Sequence, residues 1–261
     1  MTDTIRLAVG TLTAVRIGPP RRIDARVAGR AMLLAPLVGL ALGLVAESGV
    51  LAMRWLIPEP TKWLPVAVVG LVIMTLLTRA IHLDGLADSA DGLGSGKRGA
   101  EALEVMKKSD IGAFGVIALI LVLLVQVTSL YTALELGRGT LALVGGAMVS
   151  RLAMTLSCLR GVPAARDSGL GATFASTVPI AGAACVTGAV ACVLGAIVWL
   201  DDDIAYPYLV NTGAAMLVAL LVAAGFVRHC VKRFGGVTGD VMGAAGELAF
   251  ATFALMICFA S

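Results

Sequence analysis

The sequence predicts an all-α, polytopic membrane protein, a helical bundle of about seven transmembrane helices, from its hydropathy, the lengths of its apolar runs and the placement of its basic residues. Of 261 residues, 59% are hydrophobic and 14% charged, with a mean hydropathy of +0.95, whereas a soluble domain carries about 25% charge. A bilayer core takes roughly 20 apolar residues per helix, so the chain has room for about seven spans and short loops in one domain, 1–261. The apolar runs fall at 31–56, 63–80, 112–134, 140–159, 178–200, 205–227 and 241–260. They are continuous rather than alternating, and inside lipid a backbone that is not a closed barrel satisfies its polar groups as helix.

Taken in order, residues 1–30 form a cytoplasmic or interfacial arm. They contain six arginines but no apolar core ending in a small-residue cleavage site, so no secretory signal peptide is expected. Ile5 to Val15, edged by Arg6 and Arg16, reads as an interfacial helix or a disordered arm. In the first span, Gly39 and Gly43 make a GxxxG pair suited to close helix contact, within the chain or between copies. Glu47 marks the far interface of that span, the less favoured alternative being a buried functional carboxylate. The five cysteines lack CxxC spacing and read as small buried side chains. The net charge of +3 gives no reason to expect a nucleic-acid partner.

Lys and Arg are retained on the cytoplasmic side. With the N terminus in the cytoplasm, the arm, the 81–111 segment, the 160–177 loop and the 228–240 loop share one side. Together with the marginal Arg79 and Arg151 they hold seventeen of the twenty Lys and Arg. Arg54, Lys62 and Arg138 fall opposite, as does the Asp201-Asp202-Asp203 run.

Chemistry concentrates in the polar segments. In His82-Leu-Asp84-Gly-Leu-Ala-Asp88-Ser-Ala-Asp91-Gly, the acids at i, i+4 and i+7 share one face of a helix. Two unit charges about 6 Å apart repel by roughly 3 kcal/mol at an effective dielectric of 20. A divalent cation removes that conflict, and all-oxygen ligands suit Mg²⁺ or Mn²⁺. A solvated acidic loop is the alternative. A second segment carries Arg228, Lys232, Arg233, Gly235, Gly236, Thr238 and Asp240 into the last span, where Glu247 follows Asp240 at i+7. Its basic residues suit a polyphosphate or merely anchor the helix at the cytoplasmic face. The 160–177 loop offers Arg166 among glycines. Carboxylates for a cation and basic groups for phosphates describe phosphoryl or prenyl transfer from a diphosphate. Covalent catalysis by Ser or Cys has no support.

These residues resemble the cobalamin synthases, also called adenosylcobinamide-GDP ribazoletransferases. The resemblance rests on the His82 to Gly92 motif, Met106-Lys-Lys-Ser109-Asp110-Ile-Gly112-Ala-Phe-Gly115, Arg166 with Gly169-Leu-Gly171, and Gly235-Gly236-Val-Thr238-Gly239-Asp240 followed by Glu247. Thr13, Arg16 and Pro36-Leu-Val-Gly39 extend it over essentially the whole chain. It implies transfer of the adenosylcobinamide phosphate moiety of adenosylcobinamide-GDP to α-ribazole or its 5′-phosphate, with release of GMP. It further implies a multi-pass enzyme of the bacterial inner membrane with its active site facing the cytoplasm. Mg²⁺, or Mn²⁺, is then held by Asp84, Asp88, Asp91 and Asp240. Arg166, Lys232, Arg233 and the Gly235, Gly236, Thr238 turn bind phosphates, and His82 or a carboxylate takes the proton of a ribose hydroxyl. Equally, His82 only orients Asp84. Where the family usually has an Asp just before the Ser, this chain has Lys108, which leaves Asp110 and Glu247 as further candidates. Expected partners are the two substrates, membrane lipid, and a homo-oligomer or other cobalamin-assembly enzymes. A Mg²⁺-dependent membrane prenyltransferase is the alternative enzyme, and a transporter the remote one.

Overall fold

The computed structural model describes residues 2–56, 63–200 and 206–259, and every regular element among them is helical. The elements are α1 (Thr2–Leu12), α2 (Ala25–Leu33), α3 (Ala35–Leu56), α4 (Trp63–Leu77), α5 (Ile81–Gly94), α6 (Gly99–Val105) and α7 (Ala113–Glu135). A π-helical turn, Leu141–Gly145, then runs into α8 (Gly146–Leu156), followed by α9 (Gly169–Phe174), α10 (Ile180–Leu200), α11 (Tyr206–Phe234) and α12 (Gly239–Cys258).

Five of these, α3, α7, α10, α11 and α12, are long and apolar enough to cross a bilayer, and α4 with α5 is so only as a pair, bent between the two helices. The remaining run, 140–159, is the shorter helix Leu141–Leu156. In α7 the mean hydropathy is 2.5 although only 22% of its most apolar stretch is buried. An apolar helix left uncovered by its own chain is stable in lipid, not in water. The hub is α12, 67% buried, which packs against α5, α7, α8 and α11. In the first span the GxxxG pair is used within the chain: a Cβ on Gly39 would lie 2.5 Å from the Ala147 carbonyl oxygen, and one on Gly43 2.9 Å from Val144 Cα.

Several boundaries differ from the sequence reading. The run from 31 is split at Leu34, and Arg30 belongs to α2, which Asp24 caps by accepting the Val27 N–H at 2.9 Å. The run to 80 stops at Leu77. There Ala80 N–H reaches Thr75 O and Arg79 N–H reaches Leu76 O, the paired bonds of a Schellman stop. Arg79 and Ala80 both adopt positive φ, 54° and 56°, and the chain turns by 88° into α5. Residues 228–234, read as loop, continue α11, because Lys232 and Arg233 in its last turn suit a helix C-terminus. Of the five cysteines, Cys185 and Cys192 are exposed on α10 rather than buried. Glu47 is buried, not at an open interface, and accepts a 2.7 Å hydrogen bond from Thr140 Oγ1.

At the end of the bundle away from α5, Arg54 lies over Trp63 at 5.2 Å and Arg138 over Tyr208 at 4.5 Å. Cation–π pairs of this kind hold positive charge against an otherwise apolar rim. Lys62 and the 201–203 acidic run lie outside the described residues.

Candidate active site

Because of its right-angled start, α5 lies across the ends of α7, α11 and α12 instead of continuing the span. Glycines set how closely it lies. A Cβ on Gly85 would meet Asp240 Cα at 2.8 Å, and one on Gly92 would meet Met106 Cγ at 2.7 Å and the Phe234 ring at 3.2 Å. Gly243, on α12, faces His82 Cα at 3.1 Å from its own would-be Cβ. The Gly85 approach seats Asp84 and Asp88 beside Asp240, although 156 and 152 positions separate them from it in sequence.

Asp91 is fixed from below. Its two carboxylate oxygens accept the N–H groups of Gly112, at 2.7 Å, and Gly115, at 2.9 Å, so it satisfies orphan donors at the start of α7. Glycine at both positions lets the carboxylate sit this close, since a Cβ at Gly112 would fall 2.3 Å, and at Gly115 2.5 Å, from an Asp91 oxygen and push it off its seat. Each Asp91 oxygen keeps a second lone pair.

The third wall comes from the 160–171 loop. Ala165 N–H reaches Val237 O at 3.0 Å and Val237 N–H reaches Pro163 O at 2.9 Å, a parallel bridge between Ala164 and Val237. Gly236 makes the crossing possible, since its Cβ would sit 2.3 Å from Ala164 C. The bridge brings Arg166 to a cavity of about 150 Å³ lined also by Gly169, Gly171, Thr238 and Asp240. Arg166 donates from Nη2 to Leu103 O at 2.8 Å, while its Nε is buried without a partner. Thr238 begins α12 by accepting the Val241 N–H at 3.2 Å, and its hydroxyl lies 3.1 Å from Asp240 Oδ2.

Electrostatics concentrate on Asp88. It lies outside the spans, on α5, and its carboxyl is pushed up to about 7. Partial burial is the largest cause, followed by the charges of Asp84, Asp240 and Asp91, with Arg166 opposing them. Four acids from two helices therefore share one electrostatic site. Among the described residues, no three His, Cys, Asp or Glu side chains are placed to hold a metal ion by themselves. The donor set, oxygen-only and open on one side, fits an ion that takes a few carboxylates and completes its shell with phosphate oxygens.

The remaining sequence candidates are placed as follows. His82 is buried, 6% exposed, with no partner on Nε2. Gly235 ends α11 with φ 87°. Arg233 donates from Nη2 to Leu93 O, at the end of α5, at 3.3 Å, and its Nε is buried and unpaired. Lys232 is exposed and lines a different, apolar groove between α8 and α11, so the two adjacent basic residues serve different surfaces. Asp110 is exposed, two residues before Gly112. Glu247 is apart from the acid cluster: it accepts from Gln126 Nε2 at 2.8 Å and, with Arg151, lines a void of about 20 Å³ inside the bundle.

Sequence reasoning missed two participants. Arg79 and the Gly10–Leu12 end of α1 help to line a second cavity, of about 300 Å³, that shares Asp84 and Asp240 with the acid site. The only sequence signal for the α1 contribution is its amphipathic pattern, and for Arg79 there is none.

The cobalamin-5-phosphate synthase family model matches residues 4–258. The chain belongs to that family. Among curated proteins it is similar to adenosylcobinamide-GDP ribazoletransferases. It is 44% identical to that of Frankia casuarinae, over 97% of this chain and 93% of the relative. It is 42% identical to that of a Nocardioides species, over 96% of each. The relative from Desulforamulus reducens is 34% identical over 95% of this chain and 93% of its own length. No solved structure matches the chain. Family membership supports neither the prenyltransferase nor the transporter reading.

Proposed function

We propose that the chain transfers the adenosylcobinamide phosphate moiety of adenosylcobinamide-GDP to α-ribazole or its 5′-phosphate, releasing GMP, at the cytoplasmic face of a bacterial inner membrane. The observation that carries the reading is the meeting of Asp84, Asp88, Asp91 and Asp240, with Asp88 pushed to about 7 by partial burial first and by its acidic neighbours second. Such a cluster is stable when a divalent cation and a bound diphosphate complete it. The names of the relatives supply the substrate class.

Mg²⁺, or Mn²⁺, would be held by these four carboxylates together with diphosphate oxygens, and when bound it supplies the positive charge that stabilises the departing GMP. Arg166 and Arg233 each keep a buried Nε–H without a partner, and these donors suit phosphate oxygens. Gly169 leaves open space beside Arg166, while Gly171 lets the loop pack against Val237, where a Cβ would lie 2.4 Å from the carbonyl oxygen. A ribose hydroxyl of α-ribazole attacks the phosphorus on the cobinamide side, and its proton passes to an oxygen of the acid cluster that the cation leaves free. His82, buried under α12, holds the first turn of α5 in place.

The four segments that meet here are those richest in Lys and Arg, which supports the cytoplasmic orientation. The test is GMP release by the purified protein with adenosylcobinamide-GDP, α-ribazole and Mg²⁺. Turnover that needs all three supports the proposal; absence of GMP, or product formed from a prenyl diphosphate instead, refutes it.

A further inference from the structure

The cavity of about 300 Å³ beside the acid site has two chemically distinct parts. Its floor is apolar: Leu12, Met32, Met154, Phe174 and Met242 are each at most 6% exposed. Its open side carries Asp84 and Arg79, both exposed, and half-buried Asp240. Among its lining residues Arg79 is the sole Lys or Arg. His82, with the unpartnered Nε2, lines the same space.

We infer that this cavity binds the nucleoside acceptor, with its flat bicyclic base on the methionine-rich floor, its ribose at Asp84 and Asp240, and a 5′-phosphate, when present, on Arg79. The inference rests on the transfer reading above and assigns one substrate to one wall of the site.

Three observations select this occupant over the other parts of the two substrates. A volume of about 300 Å³ is at the small end of ligand cavities and excludes a corrin with its amide side chains. Guanine presents hydrogen-bonding atoms around both rings, and a floor of thioethers, methyls and one phenyl ring would leave them unpaired. A dimethylated benzimidazole has an apolar outer edge and one free ring nitrogen. Thioethers adapt to a flat aromatic face and gain from contact with it, and His82 Nε2 can pair with the ring nitrogen.

Backbone geometry supports the Arg79 assignment. Arg79 holds φ at 54°, a left-handed conformation that costs a residue of this type about 1–2 kcal/mol. Glycine would avoid that cost, yet the position carries a long cation turned to the open side of the cavity.

The experiment is steady-state GMP release at saturating Mg²⁺, with each substrate titrated in turn. Thr11→Trp and Gly10→Phe narrow the cavity from α1. Gly10 is exposed, and its would-be Cβ meets only Ile17 Cγ2, at 3.7 Å, so this variant keeps the test usable if Thr11→Trp fails to fold. Both should raise KM for α-ribazole at least about tenfold and leave KM for adenosylcobinamide-GDP within about twofold, with a ribosylated imidazole lacking the fused ring less affected. Asparagine tolerates the left-handed backbone. Arg79→Asn should therefore raise KM for α-ribazole 5′-phosphate about tenfold without moving that for α-ribazole. A KM increase confined to adenosylcobinamide-GDP, or unchanged KM values for both, overturns the assignment while leaving the transferase reading intact. No GMP release by the unsubstituted protein counts against the transferase reading itself.

Discussion

Asp88→Asn removes the charge at the centre of the acid site with little change of shape, and its effect on stability can be worked from the structure. The Asp88 carboxyl rises from an ordinary 3.8 to about 7. By linkage that difference corresponds to about 4 kcal/mol. Asp88 is partly open to solvent, and screening reduces the figure to about 2 kcal/mol. The sign follows from the direction. A proton held more tightly in the folded state gives stability that is fully present below the unfolded value of 3.8 and is lost as pH rises through about 7. Without a divalent cation, the Asn variant should thus be more stable than its parent at pH 8 by about 2 kcal/mol, a melting shift of roughly 4–8 °C. At pH 5 the difference should be smaller, because Asp88 of the folded parent is then largely protonated. Mg²⁺ should reverse the order at pH 8 by stabilising only the parent strongly, and the variant should lose most of its turnover. Thermal unfolding in detergent with EDTA at the two pH values, then with Mg²⁺, measures all of this. If parent and variant melted together at pH 8 in EDTA, the four carboxylates would not form one electrostatic site.

Asp91→Asn should behave differently from Asp88→Asn, losing turnover and also about 1 kcal/mol of stability, because one of the two N–H bonds at the start of α7 loses its carboxylate; a melt matching the parent would refute the structural role. Gly85→Ala forces α5 off Asp240 and should cost about 1–3 kcal/mol together with most of the activity; unchanged turnover would show that the contact does not position the acids. Lys97→Cys, in a chain whose native cysteines are replaced, should react with an impermeant maleimide only from the cytoplasmic side; reaction solely from outside would invert the topology.

How far the sequence could be read follows from where the physics is local. Continuous apolar runs located the spans, because lipid imposes that pattern residue by residue. The acids at 84, 88 and 91 were legible as one helical face for the same reason. The corner at Arg79 and Ala80 was not, since neither residue is a Gly or Pro breaker and the stop is made by backbone bonds back to Thr75 and Leu76. The charges of residues 228–233 suggested a loop, yet they extend α11 because cations suit its C-terminal turn. Asp240 and Glu247 share a helical face by spacing, but seven residues of rise separate them by about 10 Å along the axis, and the latter sits with Gln126 inside the bundle. The seat of Asp91 on Gly112 and Gly115 is a contact across 21 and 24 residues, which no spacing rule encodes.

The seating of Asp91 on the first turn of α7, opposite Asp240 on the first turn of α12, couples the site to the lipid itself. Helices respond to a bilayer thinner or thicker than their apolar length by changing tilt. α7 is largely open to lipid, with 22% of its most apolar stretch buried, whereas α12, at 67%, is enclosed by protein. A change in acyl-chain length therefore tilts one more readily than the other and moves one carboxylate relative to its partner. Bilayer thickness should then act on the spacing of the acids, and turnover in vesicles should pass through an optimum as the lipid chains are lengthened.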